Sequence, residues 1–272
     1  MGSSVTRLGR ANRWLVADTE GVVPDAVNSR LAAYLTAIRE AVPAQVAAVY
    51  GVGALALGDF SVRQSNIDLV VVAEARLDAA QLGRLTGAVR GLRRVGRPAE
   101  IWHVTWEDLG AQGPGSGGPD LSTQDPPLSS LATPMTRAIL RHDPMTLFGP
   151  DWPVVGYDPT TLREWAAGRL RTLVSADHGP LVFRRAVAPL VLEAARLTQA
   201  AIDGRILSKS EAGEAVMSIV SSRHQRLLTD AVGYRRGAQA SMYWGPFERK
   251  YDAQTILREL VDAATAGETG PA

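Results

Sequence analysis

Apolar residues recur at Leu31, Tyr34, Leu35 and Ile38 within residues 27–41 (VNSRLAAYLTAIREA), the spacing that lines one face of a helix. Pro43 follows, and a proline cannot extend the helical hydrogen-bond ladder, so the helix is predicted to stop there. Two β-rich runs come next, 45–50 (QVAAVY) and 67–72 (IDLVVV). The second is almost continuously apolar, the pattern of a strand covered on both faces. Residues 78–92 return to a helical pattern, and 99–105 (AEIWHVT) read as a third strand. Residues 110–134 (GAQGPGSGGPDLSTQDPPLSSLATP) are Gly, Pro and Ser with almost nothing to bury, so a flexible loop with the character of a lid is predicted. From 160 onward the pattern is helical throughout, and no internal repeat is visible. The chain thus divides into an α/β domain over 1–150 and an all-α domain over 151–272.

Composition narrows the class without naming a reaction. The 272 residues are 46% hydrophobic and 21% charged, ordinary values for a soluble globular protein. A formal net charge of +1 gives no global electrostatic case for nucleic acid or anionic membrane. The absence of cysteine excludes disulfides and Cys-based zinc sites. The N-terminal MGSSVTRLGRANRW lacks the apolar core of a secretion signal, and no uncharged run approaches the roughly 18 residues that span a bilayer. A cytoplasmic monomer is the expectation.

Residues 51–69, GVGALALGDFSVRQSNIDL, carry the chemistry. Gly51, Gly53 and Gly58 permit tight turns, where bared backbone N–H groups form a nest for phosphate oxygens. One reading takes Gly51 to Ala56 as the G-x-G-x-x-A dinucleotide fingerprint of a Rossmann oxidoreductase, with Glu74 as ribose partner. That reading requires a long helix after the turn, yet Gly58, Asp59 and the polar run 61–66 interrupt one early. The other reading uses the strand that follows. Asn66 and Asp68 lie two apart and point to one face, and Glu100 opens the neighbouring strand candidate. Glycines beside carboxyl-type side chains suit magnesium-assisted nucleotide chemistry. Acids hold the metal, the metal neutralises the triphosphate, and a further acid takes the proton of an attacking hydroxyl.

Residues 53–60 (GALALGDF) through 65–69 (SNIDL) resemble the signature of the polymerase-β-like nucleotidyltransferases, Gly-Ser, a spacer, then Asp-x-Asp. Other segments resemble one branch, the aminoglycoside adenylyltransferases of the streptomycin and spectinomycin type. Arg97-Pro98-Ala99-Glu100 resembles the strand that carries their catalytic base. Thr146-Leu147-Phe148-Gly149-Pro150 resembles the turn between their two domains. Residues 192–209 (LEAARLTQAAIDGRILSK) resemble their C-terminal helix and Ser-Lys element, and Ala231-Val232-Gly233-Tyr234-Arg235 their Ala-x-x-Tyr ending. The similarity covers most of 30–237.

The resemblance implies a small mixed-sheet α/β nucleotidyltransferase domain followed by a helical domain that closes on substrate and ATP. It implies transfer of AMP from Mg2+-bound ATP to a hydroxyl of a small molecule, aminoglycoside-like or another metabolite, and hence a role in antibiotic resistance. Glu100 and Asp68 would be catalytic, with Glu100 the base. Asp68 and Asn66 would hold Mg2+, and Gly53, Ala54, Ser65 and Lys209 would bind the nucleotide.

Two positions depart from the pattern. Ala54 stands where the signature has serine and loses a hydroxyl contact worth about 1 kcal/mol. Asn66 replaces the first aspartate, and an amide oxygen carries no charge for a hard cation. Together they keep a rival open, a catalytically silent homologue that binds a nucleotide or metabolite.

Ser208 and Glu211 have the spacing of a capping box, so a helix is predicted to begin at Lys209. A lysine there sits at the positive end of the helix dipole, which fits either a solvated side chain or a bound anion. Arg184 and Arg185, where the antibiotic enzymes present acids, are read as a solvated helix start. Trp102, Trp106 and Trp165 are expected in the core or an interface, and the four histidines lack metal-ligand spacing. Tyr234-Arg235-Arg236 and Arg249-Lys250-Tyr251 read as solvated helix faces, so nucleic acid is not an expected partner.

Overall fold

The computed structural model describes residues 25–92, 99–110, 131–151, 153–178 and 181–268. Most of the loop predicted over 110–134 and the Arg97-Pro98 pair lie outside them. The chain forms two compact units, Met1–Tyr157 and Asp158–Ala272.

The first unit runs α1 (Asp25–Ala41), β1 (Val46–Gly51), β2 (Ile67–Ala73), α2 (Ala79–Leu92), β3 (Ala99–Thr105), α3 (Trp106–Gly110), α4 (Pro134–His142) and β4 (Met145–Phe148). Its sheet has the order β3-β2-β1-β4. β1 is antiparallel to both β2 and β4, while β2 and β3 are parallel. Leu31, Tyr34, Leu35 and Ile38, the predicted stripe of α1, are buried against Leu85 of α2 and the alternate strand residues Ile67, Leu69 and Val71. Each such side chain contributes roughly 1.5–3 kcal/mol of burial. Because side chains alternate across a strand, Asp68 and Glu100 belong to the opposite sheet face.

The strand order removes the oxidoreductase alternative. A dinucleotide fold needs parallel β1 and β2 with a helix between them, but these strands are antiparallel and residues 53–58 form only turns.

Two elements were not legible as such. Residues 145–148, part of which resembled an interdomain turn, form the edge strand β4, and the turn begins only at Gly149. Gly149 has φ +98°, and a Cβ there would stand 2.5 Å from Ala48 Cβ, so the chain leaves the sheet where only glycine fits. Helix α4 begins at the end of the stretch read as loop. Thr133 caps it by accepting from Thr136 N, and Pro134 takes the first turn, where its missing N–H costs nothing.

The second unit is helical, as predicted, with α5 (Pro159–Ser175), α6 (Arg184–Asp203), α7 (Lys209–Ala215), α8 (Ser222–Arg235) and α9 (Pro246–Glu268). Asp158 caps α5 through the amides of Thr160 and Thr161, and Gly204 ends α6 in the left-handed conformation. α6 is the central helix, buried along Val187, Val191, Ala194, Ala195 and Thr198.

Several arginines read as solvated are anchors instead. Arg184 Nε lies 3.2 Å from Asp230 Oδ2, Nη1 donates to Ala238 O, and its guanidinium stacks over Tyr234. Arg249 donates to Val182 O and Ser241 Oγ, and Arg235 is 8% exposed. For Arg184 and Arg249 the reason is the buried acid Asp230, which charged partners must compensate. Arg185 alone of the 184–185 pair is exposed, over Phe183.

Candidate active site

The glycine turn and the acids meet at one end of the sheet. β1 ends at Gly51, and Val52 N donates to Asp68 O at 3.0 Å, tying the turn to β2. The turn closes on itself through Leu57 N to Gly53 O and Asp59 N to Ala54 O. Gly53 has φ +60°, and a Cβ on it would stand 2.7 Å from Asp68 Oδ2. The turn backbone therefore lies directly on the Asp68 carboxylate, a contact that any side chain would block.

Ser65 closes the segment that leads into β2. Its Oγ accepts from Ser61 N at 3.0 Å, its own amide donates to Ser61 O at 2.8 Å, and the residue is buried. The following residues enter β2 in a fixed register, in which Asp68 pairs with Glu100 across the parallel β2–β3 edge. Asn66 Nδ2 donates to Glu100 Oε1 at 3.3 Å. Gly53, Asn66, Asp68 and Glu100 are thus brought together, each by hydrogen bonding that belongs to the sheet or the turn.

The donor set fits a resident magnesium site poorly. A two-carboxylate clamp would present oxygens from both 66 and 68, but the Asn66 amide turns its N–H side to Glu100. Among the described residues, no three His, Cys, Asp or Glu side chains gather in one place. The expected pair offers one charged ligand, Asp68, and one uncharged amide, Asn66, whose N–H faces Glu100.

Lys209 lies in the other unit, and its capping box forms as its spacing predicts. Ser208 Oγ accepts from Glu211 N, while Glu211 reaches back to Ser208 N at 2.9 Å. Lys209 Nζ stands 3.1 Å from Glu193 Oε2 of α6, and Arg196 approaches the same carboxylate at 2.7 Å. Burial alone would raise the Glu193 pKa, but the charges of Arg196 and Lys209 and their hydrogen bonds hold it down at about 2. Sequence reasoning missed this carboxylate. The Glu193–Arg196 spacing of three on a helix was the available signal.

The other side chains of interest are structural. Trp102 is buried, with Arg137 5.6 Å from its ring centroid. His224 bonds Ser221, Thr255 and Glu259 between α8 and α9. Burial lowers His103 to a pKa of about 4.

No protein-family model and no curated protein sequence matches this chain. Among solved structures, it is similar to the crystal structure of spectinomycin adenyltransferase AAD(9) from Enterococcus faecialis with ATP and spectinomycin. The TM-score is 0.63 at 13% sequence identity, over 85% of this chain and 98% of that chain. At that identity the likeness is one of fold. This chain shares the fold of that structure, a small mixed-sheet α/β domain followed by a helical domain.

Proposed function

We propose that this chain transfers the AMP group of ATP to a hydroxyl of a small molecule and releases pyrophosphate. The observation that carries the reading is the in-register pair Asp68 and Glu100 beside the Gly53 turn. ATP is proposed as co-substrate because the similar structure was solved with ATP, and a hydroxylated acceptor because it also held spectinomycin.

In this mechanism the backbone at Gly53 and Ala54 receives phosphate oxygens, and Lys209, paired with Glu193 in the second unit, is proposed separately as a cation for nucleotide. Mg2+ carried with ATP would be met by Asp68 and would supply charge neutralisation of the triphosphate. Glu100 accepts the proton of the acceptor hydroxyl as that oxygen bonds to the α-phosphorus. The bond from the α-phosphorus to the pyrophosphate oxygen breaks, and pyrophosphate leaves. Ser65, held by its bonds to Ser61, is proposed with Gly53 and Ala54 for nucleotide binding. The reading includes a cytoplasmic monomer; among the described residues no helix is long and apolar enough to cross a membrane.

The uncharged Asn66 beside Asp68 favours a second reading, in which the chain binds nucleotide without turnover. The deciding experiment measures pyrophosphate release and ATP binding with a panel of aminoglycosides and other hydroxylated metabolites. Release by the wild type that is lost in Glu100→Gln supports transfer. ATP binding without release supports the second reading, and absence of ATP binding overturns both.

A further inference from the structure

We propose that Asn66 is a positioning residue for Glu100 and not a metal ligand, so that the unliganded chain keeps no divalent-cation centre at this end of the sheet. The inference rests on the transfer reading only in naming Glu100 as the base.

The argument begins with what each group can do. A carboxylate only accepts hydrogen bonds, whereas a side-chain amide has an N–H face and an oxygen face. At the entrance of β2 the N–H face meets Glu100 Oε1 at 3.3 Å. A cation seated against Glu100 would require the amide to turn its oxygen there, which would swing this donor away and set an acceptor beside an acceptor. The register then matters, because Asp68 stands opposite Glu100 on the adjacent strand. Two acids are already side by side, and Asn66 supplies a neutral donor between strand entrance and base. An aspartate at 66 would make three carboxylates at one strand end, a crowding that a divalent cation relieves. The asparagine thus does for Glu100, by hydrogen bonding, part of what a bridging cation would do by charge.

The test is Mn2+ titration of the full chain without nucleotide, read by electron paramagnetic resonance. Wild type and Asn66→Ala are expected to bind Mn2+ with equal, weak affinity. Asn66→Asp is expected to bind it at least about tenfold tighter, as a hard cation gains a charged oxygen ligand. Weaker binding by Asn66→Ala would make Asn66 a ligand and overturn the proposal. So would a folded Asn66→Asp chain, by circular dichroism, with no gain.

A second readout stands without that variant. The Asn66 side-chain amide, assigned in a 1H–15N spectrum by its loss in Asn66→Ala, is expected to shift in Glu100→Gln. An unmoved resonance would sink the positioning role. Failure of the transfer reading is seen elsewhere, as absent pyrophosphate release with both of these readouts intact.

Discussion

Lys209 Nζ and Glu193 Oε2 stand 3.1 Å apart, joining the first residue of α7 to the middle of α6. The pair is about a quarter exposed on each side, and Arg196 shares the carboxylate. Glu193→Gln leaves two cations facing a neutral group and is expected to cost about 1–3 kcal/mol in urea unfolding. Lys209→Met is expected to cost less, because Arg196 still compensates Glu193. Lys209→Ala should weaken ATP binding about tenfold by calorimetry if the lysine serves the triphosphate, the loss of one charge-assisted contact. An unchanged affinity would confine Lys209 to its bond with Glu193.

The pH dependence of stability has two parts. Glu193 is depressed in the folded chain, from an ordinary 4.5 to about 2. Its contribution is complete above pH 4.5 and is lost as pH falls toward 2. His103 is depressed by burial, from 6.5 to about 4. Between those values the unfolded chain binds a proton that the folded chain refuses, so stability falls as pH drops through this window. The expected loss is about 2–3 kcal/mol at one pKa unit per 1.4 kcal/mol. Urea unfolding at pH 7.5, 5.5 and 4.5 would show it, and His103→Gln should flatten that segment of the profile.

Two glycines are predicted to fail in different ways. Gly149→Ala places a methyl 2.5 Å from Ala48 Cβ at φ +98°, and should destabilise the chain by about 2–4 kcal/mol. Gly53→Ala sets a methyl 2.7 Å from Asp68 Oδ2, so its main effect should fall on nucleotide binding. Thermal melting and ATP titration on the same two variants separate the cases. Equal loss of stability with equal loss of binding would refute the distinction.

Arg137→Lys should not behave as a conservative change. Arg137 Nη2 donates to Asp108 O at 2.8 Å and Nη1 to Leu109 O at 3.0 Å, and the guanidinium packs over Trp102. These bonds satisfy carbonyls at the end of α3 that the helix itself cannot. An ammonium reaches one such carbonyl at a time and stacks poorly, so a loss of about 1–3 kcal/mol is expected in urea melts.

The sequence determined what local rules control. The α1 stripe, its end before Pro43, strands β1 to β3, the helical second half and the Ser208–Glu211 box follow from periodicity, proline geometry and capping chemistry. Even the juxtaposition of Asp68 with Glu100 was foreshadowed, because both open strand-like runs. Tertiary structure decided what depends on partners distant along the chain. The four residues of β4 become a strand only by pairing with β1, a contact across about a hundred positions that no local pattern encodes. Antiparallel pairing of β1 and β2 removed the dinucleotide fingerprint that the glycines alone fit. Arg184 and Arg249 look like surface charges until the fold buries Asp230 beside them. Asn66 is the sharpest case: its side chain offers an oxygen and an N–H, and only the neighbouring strand, by placing Glu100 within 3.3 Å, selects the N–H.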